Sequence, residues 1–322
     1  MLVHIVKPGE YLWAIVNYYG LQPSDKAVQK IYYFNGLWDT PYLVSGQHLL
    51  IPLFGLHYKV KAGETLWSIA KKFNFTISQL TAYNNIQDSG RIYPGMNIRF
   101  PDNTESRVKN PGDFKICIDP GHQAVPNLDR EPIGPGSDIM KLKVDYGTRG
   151  IVTGKPEFEL NLEVAMKVRE LLEAKGYKVL MTRMTNQVNI SNKERALMAN
   201  DANAALCVRI HAYGSNTSSA ENGLFVMHPS QNSPYTDAEK YRRSLLLAEQ
   251  LLRSLIGATK AKSLGLSPQA ELTGFNWSKI PVALVEMGYM TNPQEDIKLS
   301  TPEYQYRIAQ GIVNGIEGYL IT

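Results

Sequence analysis

The stretch KICIDPGH, residues 115–122, is an apolar strand that runs into an Asp-Pro-Gly turn and then presents a single histidine. Two further apolar runs have the same texture, ALCVRIHA at 205–212 and VALVEMGYM at 282–290, and each carries a charged or ionisable side chain near its end. Helical patterns separate these runs. Such alternation predicts an α/β domain with a mainly parallel twisted sheet and helices on both faces.

The polar side chains at these strand ends form a candidate site. His122 follows the first strand, His211 ends the second, and Glu286 lies in the third. Ligands of parallel sheets bind outside the carboxyl ends of the strands, so the three side chains are expected to share one crevice. Two imidazoles and a carboxylate suit zinc. A further acid, Glu157 or Glu159, stands at the start of a long helix whose dipole favours an anion, so two acids are available for two roles.

Length and composition bound the class of protein. With 322 residues, the chain is expected to form two or more domains, and 43% apolar and 20% charged residues are typical of globular proteins. No run of about 18 apolar residues is present, so no membrane span is expected. The net charge of +4 resides in the first 110 residues, which favours an anionic surface as partner. The N-terminal stretch lacks the organisation of a secretory signal.

An internal repeat occupies the first hundred residues. Three pairs of segments recur in the same order: GEYLWAI with GETLWSI (9–15 and 63–69), IYYFNGL with LTAYNNI (31–37 and 80–86), and SGQHLLIP with PGMNIRFP (45–52 and 94–101). Each copy predicts a strand, two helices and a strand, and the first copy has extra residues around LQPSDKA. The histidines of the repeats, including His4, are expected at the surface.

These two units resemble LysM modules, over roughly residues 2–53 and 57–102. The resemblance implies small βααβ folds that bind glycans containing N-acetylglucosamine, such as peptidoglycan or chitin. In the second copy it places seven residues near the sugar: Gly63, Glu64, Thr65, Leu66, Asn84, Asn85 and Ile86. The domain organisation expected is a LysM module at 1–54, a second at 55–102, a polar linker at 103–113 and a catalytic domain at 114–322.

The remaining two thirds of the chain resemble a zinc-dependent N-acetylmuramoyl-L-alanine amidase of the AmiC/CwlV type. The motifs that carry the resemblance, in chain order, are IDPGH (118–122), ExxxNL (157–162), TR (182–183), RxxxAN (195–200), IHA (210–212) and VEMGYMTN (285–292). The resemblance implies that His122, Glu157 and His211 bind one Zn²⁺ and that Glu286 is the catalytic acid–base. Glu159 remains the competing third ligand.

Two features depart from the family pattern. Arg209 and Tyr213 replace the Ser and Asn that often flank the second histidine, and the Gly- and Pro-rich stretch 125–155 exceeds the usual loop. Arg209 is a candidate contact for a substrate carboxylate, because guanidinium groups suit planar carboxylates.

The resemblance implies a peptidoglycan hydrolase that cleaves the amide between N-acetylmuramic acid and L-alanine of the stem peptide. Its LysM modules would target it to the wall, and its partner would be peptidoglycan rather than nucleic acid or a membrane. The site of action would be the bacterial cell wall or the spore envelope, with the export or release route left open. The alternatives are a glycan-binding wall protein with an inactive amidase-like domain, or a different zinc wall peptidase.

Overall fold

The computed structural model describes residues 2–22, 28, 31–32, 35, 37, 43–51, 53, 57–73, 75–100, 108 and 110–322. The chain forms two compact units, residues 1–105 and 106–322. The predicted linker lies at their junction, and its residues 103–107 and 109 fall outside the described residues. None of the helices in the described part is both long and apolar enough to cross a lipid bilayer.

The first repeat contributes three strands and a helix in its described part: β1 (Leu2–Ile5), α1 (Leu12–Tyr18), β2 (Leu21–Gln22) and β3 (His48–Ile51). Strands β1 and β3 pair antiparallel, as the βααβ pattern predicts. The predicted second helix falls on residues of which only isolated ones are described. Strand β2 was not expected, and it lies at the start of the segment that the second copy lacks.

The second repeat shows the whole predicted pattern: β4 (His57–Lys59), α2 (Leu66–Phe73), α3 (Ile77–Asn84) and β5 (Asn97–Arg99). Strands β4 and β5 pair antiparallel. Helix α3 begins at a capping box, in which the Thr76 side chain accepts from the Gln79 backbone and the Gln79 side chain accepts from the Thr76 backbone. Thr76 is therefore the N-cap of this helix.

The two repeats pack on a common core. Strand β2 of the first copy pairs antiparallel with β4 of the second, with Leu21 opposite Tyr58. Gly20 has φ +74°, and a Cβ there would lie 2.9 Å from the Tyr58 ring. One continuous cluster of buried side chains draws on both copies, including Ile15, Leu49, Tyr58, Ile69 and Phe100.

Glutamates at equivalent positions of the two repeats stabilise the first turn by accepting hydrogen bonds. Glu10 and Glu64 each accept the backbone N–H three residues earlier, at 2.8 and 2.9 Å. Glu64 also accepts the Tyr58 hydroxyl, whereas Glu10 contacts Nε2 of His4 at 2.8 Å. The expectation that His4 lies at the surface is thus wrong: it is buried, because it occupies the place that Tyr58 takes in the other copy.

A six-stranded sheet forms the centre of the second unit, in the order β12-β11-β13-β10-β6-β9. The strands of this unit are β6 (Lys115–Pro120), β7 (Asn127–Pro132), β8 (Met140–Val144), β9 (Lys178–Met181), β10 (Leu206–Tyr213), β11 (Leu224–Pro229), β12 (Ser263–Gln269) and β13 (Val282–Tyr289). Strand β11 runs antiparallel to β13, and the other pairings are parallel. The predicted mainly parallel sheet is confirmed.

Helices cover both faces of this sheet. They are α4 (Glu157–Ala174), α5 (Asn192–Asp201), α6 (Ala238–Thr259), α7 (Thr273–Asn276), α8 (Pro293–Leu299) and α9 (Pro302–Leu320). Helices α4 and α6 pack on the sheet, with α9 against both. Helices α5 and α7 pack on the face that carries Cys117 and Cys207, around Phe275. Both cysteines are free and buried.

The long stretch 125–155 contains a hairpin that the sequence did not reveal. Strands β7 and β8 form a separate two-stranded antiparallel sheet. Strand β12 and the short helices α7 and α8 were missed as well. The first hairpin strand, NLDREP, is polar, and the second, MKLKV, alternates apolar and polar residues over only five positions, so neither gives a strong strand signal.

A buried carboxylate ties the sheet to α5. Asp119 accepts from Arg195 Nη1 at 2.8 Å, from Arg209 Nε at 2.7 Å and from the Thr182 hydroxyl at 2.6 Å. Burial alone would raise the pKa of Asp119, but the two guanidinium groups and the hydroxyl outweigh it and hold that pKa well below its usual range. The carboxylate therefore stays ionised and neutralises charges that would otherwise be desolvated without compensation.

Replacing Asp119 by Asn is expected to destabilise the second unit by about 3–5 kcal/mol, because two buried guanidinium groups lose their counter-ion. The exposed Asp129, which contacts Lys143 at 3.2 Å, provides the matched control. Its change to Asn should cost no more than about 1 kcal/mol. Urea denaturation followed by circular dichroism measures both.

Because the folded pKa of Asp119 is depressed, its contribution to stability is present above about pH 4 and lost as the pH falls below that value. Equal losses in the two variants would contradict this account.

Candidate metal centre

Three neighbouring parallel strands bring the predicted site residues together. Strand β10 lies between β6 and β13, so the carboxyl ends of all three meet at one edge of the sheet. His122 follows β6, and His211 and Glu286 are register partners across β10 and β13. The ring centroids of His122 and His211 lie 4.8 Å apart. The crevice expected from the strand ends is therefore present.

Glu157, at the first position of α4, lies between the two imidazoles. Its Oε1 is 3.2 Å from Nε2 of His122 and 3.1 Å from Nδ1 of His211. Within the described residues, these three side chains form a group whose ligand atoms all lie within 4.8 Å of one another. Glu159 is not a member of that group. Of the two acids that the sequence offered as third ligand, the structure thus places Glu157 beside the histidines.

The Glu157 carboxylate is held by neutral donors as well. The Thr148 backbone N–H donates to Oε2 at 2.8 Å, and the Ala212 backbone N–H and the Asn161 amide donate to Oε1 at 3.2 and 3.1 Å. Only 3% of Glu157 is exposed. Burial raises the pKa of this carboxyl, but the charge and hydrogen bonds of the two histidines outweigh burial and lower the pKa well below its usual value.

The two histidines differ in their surroundings. Asp145 lies 2.8 Å from Nδ1 of His122, which leaves Nε2 as the ring atom directed at Glu157. Burial lowers the pKa of His122, yet Glu157 and Asp145 outweigh burial and raise it to about 10. The pKa of His211 is lowered chiefly by desolvation, and its contact with Glu157 only partly offsets this effect. The cluster therefore accommodates one positive charge on its imidazoles more readily than two.

The geometry of this group fits a tetrahedral metal ion. Ligand atoms bonded at roughly 2.1 Å to a tetrahedral zinc lie about 3.4 Å from one another. The two separations between Glu157 and the histidines, 3.1 and 3.2 Å, are close to this value, and the three ligand atoms all lie within 4.8 Å of one another. Among the described residues, Nε2 of His211 and Oε2 of Glu286 are buried without a hydrogen-bond partner. Buried polar atoms of this kind are expected to meet an ion or ordered water.

Glu286 lies beside this group and does not belong to it. It is 6% exposed. Burial raises its pKa well above the usual value, and the neighbouring charge of Glu157 adds to that effect. A carboxyl with a raised pKa can hold or release a proton nearer neutral pH, as acid–base catalysis requires.

A cleft of about 760 Å³ opens above the group. The β7–β8 hairpin forms part of its wall, and the segments around Tyr213 and Thr273 line it as well. Arg209 lines the cleft, but it is only 5% exposed, and it donates to Asp119 and, through Nη2, to Asn192 at 2.5 Å. Its guanidinium is thus committed to the network beneath the cleft.

The seven candidate glycan residues divide into two groups. Some have structural contacts: Glu64 braces its turn, Leu66 is buried, and Asn84 exchanges hydrogen bonds with the Arg99 backbone at 2.8 Å. The exposed members are Gly63, Thr65 and Asn85, and Ile86 is half-buried.

Two glycines make room for the metal-centre side chains. A Cβ at Gly121 would overlap the His211 ring. Gly147 has φ +68°, and a Cβ there would lie 2.8 Å from Oε2 of Glu157 and 3.0 Å from Cγ of His122. Both positions therefore need glycine for the three side chains to approach one another.

Comparison with known proteins identifies a family for each part of the chain. Residues 116–318 match the family described as N-acetylmuramoyl-L-alanine amidase, and residues 4–52 and 58–101 match the LysM domain. The amidase Rv3717 of Mycobacterium tuberculosis is 28% identical over 218 residues, which cover 64% of this chain and 86% of that protein.

Solved structures of amidases share the fold. The amidase Ami1 of Mycobacterium smegmatis is similar with a TM-score of 0.59 and 28% identity, covering 66% of this chain and 99% of that one. The catalytic domain of CwlV from Bacillus (Paenibacillus) polymyxa is similar with a TM-score of 0.53 and 27% identity, covering 65% and 98%.

Changing Gly121 to Ala is expected to weaken binding of added Zn²⁺ at this candidate metal site about 10- to 100-fold, because the new methyl group displaces the His211 ring. Gly257→Ala is the matched control, since no atom lies within 4 Å of a Cβ at that position. Competition with a chromogenic chelator measures the affinities, and thermal melting checks that both variants fold. Unchanged affinity in folded Gly121→Ala would show that the ring position does not govern binding.

Proposed function

The chain belongs to the N-acetylmuramoyl-L-alanine amidase family and carries two LysM domains before the amidase domain, and from this we propose a zinc-dependent mechanism for its cleavage of peptidoglycan. The bond cleaved is the amide between N-acetylmuramic acid and L-alanine of the stem peptide. The observation that carries the proposal is the placing of His122, Glu157 and His211 around one point, with Glu286 in the same cleft.

We infer that His122, Glu157 and His211 hold the metal. Neutral imidazole and carboxylate are ligands of zinc, and a site with three protein ligands leaves a position open for reaction. A bound zinc would supply Lewis acidity there, which would lower the pKa of water towards about 7 and polarise a carbonyl group. Asp145 orients the His122 ring, and the three neutral donors to Glu157 fix its carboxylate.

Glu286 acts as the acid–base group in this proposal. Its Oε2 is buried without a partner among the described residues, and its pKa is raised by burial. It accepts a proton from the attacking water and then delivers that proton to the departing amino group of alanine. The apolar strand around it, Val282–Tyr289, is buried throughout and keeps bulk water from the carboxyl.

The LysM unit contributes binding rather than chemistry. Its modules hold the enzyme at the glycan strands of peptidoglycan, which raises the local concentration of the catalytic unit at its substrate. We propose that the exposed residues Gly63, Thr65 and Asn85 contact the glycan, with the remaining candidates shaping the surface behind them. The protein therefore acts at the bacterial cell wall.

Glu286→Gln is expected to retain Zn²⁺ and to lower kcat by about 10²- to 10⁴-fold, because an amide cannot relay the proton. Zinc content and release of free alanine amino groups from purified peptidoglycan are the two readouts. His211→Ala should lose the metal, and Glu159→Gln, altered at the other acid of the same helical turn, should keep both metal and activity. Full turnover by Glu286→Gln would remove Glu286 from the mechanism.

Removal of residues 1–105 is expected to leave cleavage of a small soluble muramoyl-peptide unchanged and to weaken binding to insoluble wall about 10²-fold, since the tether is lost. Sedimentation with peptidoglycan measures binding, and amino-group release measures cleavage. If the truncated chain bound whole wall as well as the full chain, targeting by the LysM unit would be wrong.

A further inference from the structure

The hairpin β7–β8 lines part of the cleft, but the proposed chemistry uses none of its side chains. One side of it faces the cleft, because Arg130, Met140, Leu142 and Val144 all line the cavity and Arg130 stands opposite Leu142 in the register. Lys143, by contrast, is not among the residues that line the cleft, and its ammonium contacts Asp129 at 3.2 Å. The hairpin thus contributes three apolar side chains to the cleft wall, Met140, Leu142 and Val144, together with the cations of Arg130 and Lys141.

The hairpin is fixed to the body of the unit. Trp277 Nε1 donates to the Pro132 carbonyl at 2.9 Å, and the Lys193 backbone N–H donates to the buried Glu131 carboxylate at 2.9 Å. Asn192 donates to the Lys143 carbonyl at 2.8 Å. A side chain carried on such a platform loses less freedom when it meets a ligand than one on a loose loop.

Three Lys or Arg side chains line the cleft in the described part of the chain: Arg130, Lys141 and Arg209. Arg209 is buried and hydrogen-bonded to Asp119 and Asn192. The ammonium of Lys141 donates to the Glu271 carbonyl at 3.0 Å and lies 3.4 Å from the Glu271 carboxylate. Both of these cations are therefore already hydrogen-bonded to protein groups.

Arg130 differs from both. Its Nη1 donates to the Met140 carbonyl at 3.1 Å, which orients the guanidinium, and the side chain is exposed. No carboxylate among the described residues forms an ion pair with it. The acids of the cleft wall, Asp145 and Glu271, are already paired with His122 and Lys141. The charge of Arg130 is therefore available to a ligand in the cleft.

We propose that Arg130 is a specificity-determining residue, which binds a free carboxylate of the stem peptide beyond the alanine. This inference rests on the proposed function. A guanidinium fork matches a carboxylate through paired N–H donors, and the apolar residues Met140 and Leu142 line the cleft beside it. The hairpin thus selects peptides that carry an acid and disfavours those in which the acid is an amide.

The test is a cycle that crosses the enzyme change Arg130→Gln with a substrate change. Two zinc-loaded full-length chains, wild type and Arg130→Gln, are given a soluble muramoyl-peptide with free carboxylates and the same peptide with those carboxylates converted to primary amides. The wild type should prefer the acid by about tenfold in kcat/KM, and the variant should lose that preference while cleaving the amide at the wild-type rate. Arg130→Lys should retain part of the preference.

Lys143→Gln, which removes a cation of the same hairpin that does not line the cleft, is the matched control and should leave both substrates unaffected. Calorimetric binding of the released acidic peptide gives a readout that needs no turnover, and Arg130→Gln should weaken it about tenfold. Equal effects of Arg130→Gln on acid and amide, or unchanged peptide binding, would overturn the inference. Cleavage of neither substrate by the wild type would instead count against the proposed function, and the binding measurement would then decide the role of Arg130.

Discussion

A single buried negative charge, that of Glu157, organises the catalytic unit. Its carboxylate contacts the imidazoles of His122 and His211, which lie at the ends of two neighbouring strands. It also accepts hydrogen bonds from the backbone N–H groups of Thr148 and Ala212 and from the side-chain amide of Asn161 on its own helix. Removing one partner of such a buried set leaves others desolvated without compensation, which costs several kcal/mol. The fold of the crevice and its chemistry therefore depend on the same side chain.

Glu157 and Glu286 show how one crevice gives two carboxyl groups opposite properties. Hydrogen-bond donors and imidazoles keep Glu157 ionised, whereas Glu286 has an apolar strand around it and the charge of Glu157 nearby. The pKa of the first is lowered and that of the second is raised. Separation of two pKa values by environment is how one site obtains both a fixed anion and a proton carrier.

The sequence predicted the crevice because its strands are strongly apolar and the rule for parallel sheets then places His122, His211 and Glu286 together. It could not choose between Glu157 and Glu159 from the helix dipole, since both lie in the first turn. Residues two apart on a helix differ by about 200° in direction, so only the docking of α4 on the sheet decides which acid faces the histidines. The hairpin was missed because NLDREP is polar and the alternation of apolar and polar residues in MKLKV is short. The burial of Arg209 follows from contacts with Asp119 and Asn192, which are distant in the chain.

The LysM unit shows how duplicated segments become dependent on each other. The extra residues of the first copy begin with β2, which completes the sheet of the second copy, and Gly20 fits closely against Tyr58. Excising either copy would expose an apolar surface and an unpaired strand edge that the partner now covers. The two copies should therefore be transferred together in recombination or domain grafting. Substitutions at the contact between β2 and β4 are expected to co-evolve between the two copies.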